Sequence, residues 1–166
     1  MNAKGDTLIR QQDYYHQFEF RDFNKDGHKD ILLYLASNTP AMIDLFLFVP
    51  STKKFKMVQS MTNFPAAEKI TGTKYYYSYH KSGCADLNWD SDLFYIQGFN
   101  AICVANISGV GCNDKVEKKD GIYISKVRDE KKVLMQTLPI ETIKRFKDYK
   151  WGFIKEYWIK NYNRFL

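Results

Sequence analysis

Apolar residues along most of the chain recur with the two-residue period of β-strands. Residues 18–21 alternate apolar and charged side chains. Residues 31–36 are a continuous apolar run of strand length, and residues 42–49 form a second apolar run that contains Asp44. Further apolar segments occupy residues 55–60, 69–80, 93–96, 101–107 and 122–127, with turn-forming Gly, Pro, Asn and Asp between them. Because no helical pattern separates these segments, the sequence argues against βαβ units and predicts antiparallel pairing.

Helical spacing is confined to the C-terminal part of the chain. Pro139 and Glu141 are typical of a helix start. Apolar residues then recur at helical intervals, with Gly152 as a candidate break: Ile143, Phe146, Phe153, Ile154, Tyr157 and Trp158. We therefore predict a mainly β protein, an antiparallel β-sandwich or barrel-like sheet with a C-terminal helix at about residues 138–163. Residues 1–14 are predicted to form a flexible N-terminal segment and residues 15–166 a single domain.

Composition and charge exclude only a few classes of protein. The chain has 166 residues, of which 45% are hydrophobic and 16% aromatic, a composition that excludes intrinsic disorder. The net charge is +6, but 19 acidic residues are interspersed with 25 basic ones, so we expect no nucleic-acid partner. No run approaches the ~20 apolar residues that a membrane-spanning helix needs, so we expect no transmembrane segment. The oligomeric state is left open.

The three cysteines leave two interpretations open. Cys84, Cys103 and Cys112 lack the C-x-x-C spacing of zinc sites. All three are buried thiols in one interpretation. In the other, Cys84 and Cys112 pair in an oxidising compartment, and Cys103 is a buried thiol on a sheet face.

The clearest candidate site is the segment between the first two predicted strands. Its oxygen-bearing side chains stand at the first, third, fifth and ninth positions, and a glycine that permits a sharp turn stands at the sixth. Ca²⁺ takes six to eight oxygen ligands, and alternate residues of a tightly curled loop can direct their side chains at one centre. We predict a structural calcium site with these ligands: Asp22, Asn24, Asp26, the backbone carbonyl of His28, and Asp30.

This pattern resembles the calcium loop of FG-GAP (integrin-α and VCBS-like) proteins, D-x-N-x-D-G-x-x-D followed by an apolar strand. An EF-hand would require Glu at the twelfth position, where Leu33 stands, and helices on both sides. Over about residues 17–127 the chain resembles bacterial calcium-binding immunity proteins related to periplasmic lysozyme inhibitors. The shared features are the calcium hairpin, the next hairpin at residues 45–55 and the segment 79–86.

The resemblance implies a protein-binding function for the segment that follows His80. In the lysozyme inhibitors a Ser-Gly loop with a following tyrosine enters the active site of the hydrolase. Ser82 and Gly83 match that loop and Cys84 follows, whereas Asp86 replaces the tyrosine and Trp89 is the nearest aromatic residue. We expect an inhibitor or immunity protein, not an enzyme, directed against a secreted cell-wall hydrolase or toxin. Its expected location is the periplasm, the cell surface or the extracellular space; no leader is visible in this chain, and whether a leader or lipid anchor was removed is left open. An ordinary strand-connecting turn is the alternative for this loop.

Two other functions remain open. A cell-surface carbohydrate-binding or adhesive module would use Tyr75, Tyr77 and Trp89 to stack on sugar rings. A hydrolase would use two of Asp86, Asp90 and Asp92 as acid and base. Glycosidic chemistry would then need their carboxyl groups about 5 Å or 6.5–9.5 Å apart.

Overall fold

The computed structural model of the protein describes residues 15–112 and 119–166, and the predicted flexible segment 1–14 lies outside the described residues. Two antiparallel sheets contain the strands of these residues. The first four strands pair in chain order to form a small sheet: β1 (Tyr15–Arg21), β2 (Asp30–Leu35), β3 (Ile43–Val49) and β4 (Lys54–Met57). This sheet contains the two hairpins that the apolar runs predict.

The second sheet is the larger one and has seven strands among the described residues. Its strands are β5 (Glu68–Lys69), β6 (Tyr75–Tyr77), β7 (His80–Lys81), β8 (Trp89–Gln97), β9 (Asn100–Val110), β10 (Gly121–Arg128) and β11 (Lys131–Leu138). They follow the order β11-β10-β9-β8-β6-β5, and β7 also pairs with β8. From β8 to β11, each strand pairs with the next strand along the chain, so these four strands form a meander.

Alternating side chains of β8 belong to two separate cores. Trp89 and Leu93 lie in the core beneath the C-terminal helix α1 (Lys150–Asn161), with Trp158 as its largest helical member. Phe94 lies in the other core, which the small sheet covers. The large sheet is therefore the middle layer, and each strand that crosses it must supply apolar residues on both faces.

The C-terminal region contains less α-helix than the sequence predicts. A 3₁₀-helix spans Ile140–Arg145, α1 spans Lys150–Asn161, and a second 3₁₀-helix spans Tyr162–Phe165. Asp148 and Tyr149 adopt φ angles of 63° and 53°, which interrupt the predicted helix just before α1. The buried face of α1 is the predicted one. Its Trp158 side chain donates a hydrogen bond of 2.8 Å from Nε1 to the hydroxyl of Ser91 in the large sheet.

The prediction of a mainly β fold is confirmed. The described residues form a β-sandwich of antiparallel sheets with a short C-terminal helix and no closed barrel. In the part of the chain that the structure covers, no helix combines the length and the apolar character required to cross a membrane.

Candidate functional site

Asp30 organises the predicted calcium loop. The loop joins β1 to β2 in an antiparallel hairpin, as predicted, and Asp30 is the first residue of β2. The Asp30 side chain is fully buried, and its two oxygens accept the backbone N–H groups of Phe23 and Phe48 at 2.9 and 3.0 Å. Burial raises the pKa of Asp30, against the effect of these hydrogen bonds. Its carboxylate therefore joins the loop directly to β3.

The other predicted ligands curl the loop through hydrogen bonds to its own backbone. Asp22 accepts the N–H groups of Asp26 and Gly27 at 3.1 and 3.0 Å. Asn24 accepts the N–H of Asp26 at 3.1 Å, and Asp26 accepts the N–H of His28 at 2.9 Å. The ring of His28 contacts Phe48, with 5.4 Å between ring centroids.

The donor chemistry of this loop fits a hard cation. A carboxylate has about four lone-pair positions, so Asp22 keeps acceptor capacity after it has bound two amides. Within residues 15–112 and 119–166, however, no group of three or more His, Cys, Asp or Glu side chains has the geometry to hold a metal ion. The calcium site therefore stays a prediction.

The predicted partner-binding segment is an exposed loop between β7 and β8. We call residues 82–87 the Ser-Gly loop. Ser82 and Gly83 are exposed at its start, and Gly83 adopts φ 112°, a conformation that favours glycine. A 3₁₀ turn, Cys84–Asp86, follows, and all three of its residues have positive φ angles. The loop thus has one specific, sparsely populated backbone conformation, which its surroundings must maintain.

Covalent and hydrogen bonds to the end of β9 hold one side of the loop. Cys84 forms a disulfide with Cys112, so the interpretation with one disulfide is confirmed. Beside it, the side-chain oxygen Oδ1 of Asn88 accepts the backbone N–H groups of Gly111 and Cys112 at 3.0 and 3.1 Å. Cys103 is the free cysteine, as predicted, but it is only partly buried; this burial raises the pKa of its thiol to about 12.

Helix α1 holds the other side of the loop through Asp86. Lys150 donates hydrogen bonds to the carboxylate and the backbone carbonyl of Asp86, at 2.6 and 2.8 Å, and the Tyr79 hydroxyl donates another to the carboxylate. Burial opposes the ionisation of Asp86, but the bonds from Lys150 and Tyr79 outweigh it and lower the pKa of Asp86. Burial and the bond to Asp86 raise the pKa of Tyr79. Asp86 is therefore an ionised internal anchor of the loop.

Several aromatic residues proposed for binding are in the interior. Trp89 is 1% exposed, because it fills the core beneath α1, and this burial corrects its assignment to the partner surface. Tyr75 and Tyr77 are 8% and 7% exposed, so they form no platform on which a sugar ring could stack. Of the predicted partner-binding residues, Ser82 and Gly83 are the exposed ones.

Two of the three carboxylates considered for catalysis line a separate polar cavity. Asp90 and Asp92 share a cavity of about 420 Å³, which strands of the large sheet and the segments around Thr39 and Thr62 line, whereas Asp86 lines a different one. Asp92 accepts a hydrogen bond of 2.8 Å from Asn106 and lies 3.4 Å from the ring of His80. The hydrogen bond to Asp92 raises the pKa of His80, against the effect of burial.

The sequence analysis missed this network because its members come from different strands. Lys132 of β11 donates a hydrogen bond of 2.9 Å to Asn106 of β9, and Asn106 pairs in register with Asp92 of β8. The one feature of the sequence that indicates this network is a polar residue, Asn106, inside the apolar run of β9. A buried polar side chain in a central strand needs a partner on a neighbouring strand.

The comparisons with known proteins support the fold alone. No protein-family model and no curated protein matches the chain. A solved structure described as a Xanthomonas Type IV Secretion System related protein is similar in fold, with a TM-score of 0.53 and 18% sequence identity. The alignment covers 72% of this chain and 57% of that protein, so the present chain spans little more than half of its neighbour.

Proposed function

We propose that this chain is a binding protein that inhibits a secreted cell-wall hydrolase or toxin by inserting its Ser-Gly loop into the active-site cleft of the enzyme. The observation that carries the proposal is the construction of this loop. Its small residues Ser82 and Gly83 are exposed, while the Cys84–Cys112 disulfide and the bonds from Lys150 hold the following turn. Small side chains allow close approach of the backbone to catalytic groups, and a rigid loop loses little conformational entropy on binding.

The disulfide supports a periplasmic or extracellular location. Disulfides form and persist in oxidising compartments, and Cys84 and Cys112 lie 28 residues apart in sequence, so the bond closes a long loop. An oxidising location of this kind agrees with the expected role against a secreted enzyme.

Calcium has a structural role in this proposal. The ion would bind the oxygens of Asp22, Asn24, Asp26 and Asp30 and the carbonyl of His28, and it would add to the hydrogen bonds by which Asp30 joins the hairpin to β3. Calcium sites of extracellular modules have dissociation constants of about 10⁻⁴–10⁻³ M. Occupancy at 100 times the dissociation constant stabilises the folded state by about 2.7 kcal/mol. Melting curves with 10 mM CaCl₂ and with a chelator measure this contribution.

Inhibition assays with defined enzymes test the main proposal. The full chain is mixed with a c-type lysozyme, a goose-type lysozyme and the secreted hydrolase encoded beside its gene, and lysis of purified peptidoglycan is followed. We expect inhibition of at least one enzyme and loss of inhibition in Ser82→Arg, whose side chain blocks insertion. Ser51→Arg places the same side chain on an exposed turn of the small sheet and serves as the matched control. If the wild-type chain inhibits none of the three enzymes, the proposal is wrong.

A further inference from the structure

An open groove of about 600 Å³ lies beside the Ser-Gly loop. The loop contributes Leu87 to its lining, and the segment before and into α1 contributes Ile140, Ile143, Tyr149 and Trp151. The groove therefore adjoins the residues that we propose to enter the hydrolase. Both surfaces depend on the same C-terminal segment, since Lys150 holds the loop and also lines the groove.

Three large side chains at this groove are exposed to solvent. Tyr149 is 64% exposed, Leu87 57% and Trp151 47%. Trp and Tyr, together with Arg, are enriched among the few residues that carry most of the binding energy of protein interfaces. Their shared position around one concave surface distinguishes them from an isolated exposed apolar residue, which needs no explanation.

The Trp151 side chain and the backbone of Tyr149 are held in place before any partner binds. Trp151 contacts the ring of Tyr79, with 3.8 Å between ring centroids, and Lys150 lies 5.7 Å from the Trp151 ring centroid. The carbonyl of Tyr149 accepts the N–H of Phe153 at 2.9 Å, which joins it to the first turn of α1. A fixed aromatic side chain loses little conformational entropy when a partner covers it.

The charge of the groove differs from that of the whole chain. Its lining carries the carboxylates of Asp86, Glu141 and Asp148 and the ammonium groups of Lys144 and Lys150, and Asp86 is paired with Lys150. Neither Glu141 nor Asp148 takes part in an ion pair with another described residue. The groove is thus slightly acidic on a protein of net charge +6.

We propose that this groove is the second part of the docking surface for the hydrolase, and this inference depends on the proposed function. The groove takes an apolar side chain from the rim of the enzyme's cleft, and Glu141 and Asp148 face a Lys or Arg beside that side chain. Enzymes that act on an anionic cell wall benefit from a basic surface next to the cleft, because it attracts the substrate. An acidic groove on the inhibitor complements such a rim and offsets the repulsion that its overall positive charge would cause.

Substitutions in the groove test this inference against the hydrolase that the wild-type chain inhibits. We expect Tyr149→Arg to raise the dissociation constant about 10-fold or more. We expect Glu141→Lys to slow association and to weaken its dependence on ionic strength. Phe18→Arg is the matched control, because Phe18 on β1 is also 64% exposed and lies in the other sheet, and its affinity should equal that of the wild-type chain.

A photo-crosslinking measurement gives an answer that does not depend on loss of affinity. Replacement of Tyr149 by p-benzoylphenylalanine keeps an aromatic side chain at this position, and irradiation of the complex should attach it to the hydrolase. The same replacement at Phe18 should yield no adduct. Wild-type affinity of both groove variants, or no adduct at position 149, overturns the groove inference, even if Ser82→Arg still abolishes inhibition. If the wild-type chain binds none of the enzymes, the proposed function fails and the groove inference fails with it.

Discussion

Asp30→Asn tests whether the predicted calcium loop is held together by its own carboxylate. The Asp30 side chain has no exposure, and it accepts one backbone N–H from the loop and one from β3. An asparagine of nearly the same size retains one oxygen acceptor. Its amide NH₂ group then faces the second backbone N–H, so one buried donor loses its partner.

The cost of this substitution follows from the hydrogen bond that it removes. A buried donor without an acceptor costs about 1–3 kcal/mol, and a bond to a charged acceptor is worth about 1.5–3 kcal/mol. We therefore expect Asp30→Asn to lower the free energy of unfolding by about 2 kcal/mol in the presence of a chelator. For a chain of this length each kcal/mol shifts the melting temperature by about 2–4 °C, so the expected decrease is about 4–8 °C.

Urea and thermal unfolding are measured with a chelator and with 10 mM CaCl₂. The comparison separates the contribution of the Asp30 carboxylate to the free energy of unfolding from the contribution of a bound ion. Asp26→Asn is the matched control, because Asp26 is exposed and bonds only within its loop. In the chelator it should cost less than about 0.5 kcal/mol. In calcium, both variants should lose the stabilisation that the ion gives to the wild-type chain. If Asp30→Asn unfolds in the chelator at the same urea concentration and temperature as the wild-type chain, the Asp30 carboxylate does not hold the loop together.

Four further predictions concern the core, the polar cavity, the loop and the ion. Gly109→Ala places a Cβ 2.1 Å from Cε2 of the buried Trp89, so urea unfolding should show a loss of about 1–3 kcal/mol or more; an unchanged midpoint would contradict the packing. His80 faces Asp92, the other cavity carboxylate and a lysine, and its pKa is raised in the folded state. The protonated ring therefore stabilises the fold fully below about pH 6.5, and this stabilisation is lost as the pH rises through the folded-state pKa of His80. His80→Gln should accordingly lower the free energy of unfolding more at pH 6 than at pH 8.5, as measured by denaturant titration. Lys150→Met removes both hydrogen bonds from the lysine to the Ser-Gly loop but leaves the disulfide intact, so hydrogen exchange of the loop amides should accelerate. Exchange at the wild-type rate would show that Lys150 does not restrain the loop. Calcium should change the melting temperature but not the inhibition constant of the folded protein, and a calcium-dependent inhibition constant would contradict a purely structural role.

The fold class could be predicted from the sequence because most strands carry apolar residues in a regular pattern. Two errors have a clear physical cause. Residues 131–138 were not assigned to a strand, because β11 is an exposed edge strand whose partner register shifts near Leu134, so its apolar residues do not alternate cleanly. Residues 89–92 fall outside the predicted apolar segments 69–80 and 93–96, because Asp90, Ser91 and Asp92 interrupt the apolar pattern. The structure places them in β8, where Asp90 and Asp92 line a cavity.

The candidate site was only partly predictable. The spacing of Asp22, Asn24 and Asp26 located one loop, because its hydrogen bonds connect residues two to five positions apart. The restraint on Asp86 could not be inferred in this way, since its partner Lys150 is 64 residues away. Local patterns record local contacts, whereas contacts between sheets and helices depend on a packing arrangement that one sequence does not specify.

The two loops have separate restraints, and this separation follows from the topology. The predicted calcium loop joins β1 and β2 of the small sheet, and Asp30 connects it to β3. The Ser-Gly loop joins β7 and β8 of the large sheet, and the disulfide and Lys150 connect it to β9 and α1. An ion in the first loop would therefore increase the fraction of folded molecules without adding a bond to the second. The C-terminal helix, in contrast, stabilises both the fold and the Ser-Gly loop. It covers the core beneath the large sheet, and its Lys150 ammonium group holds Asp86 in the loop.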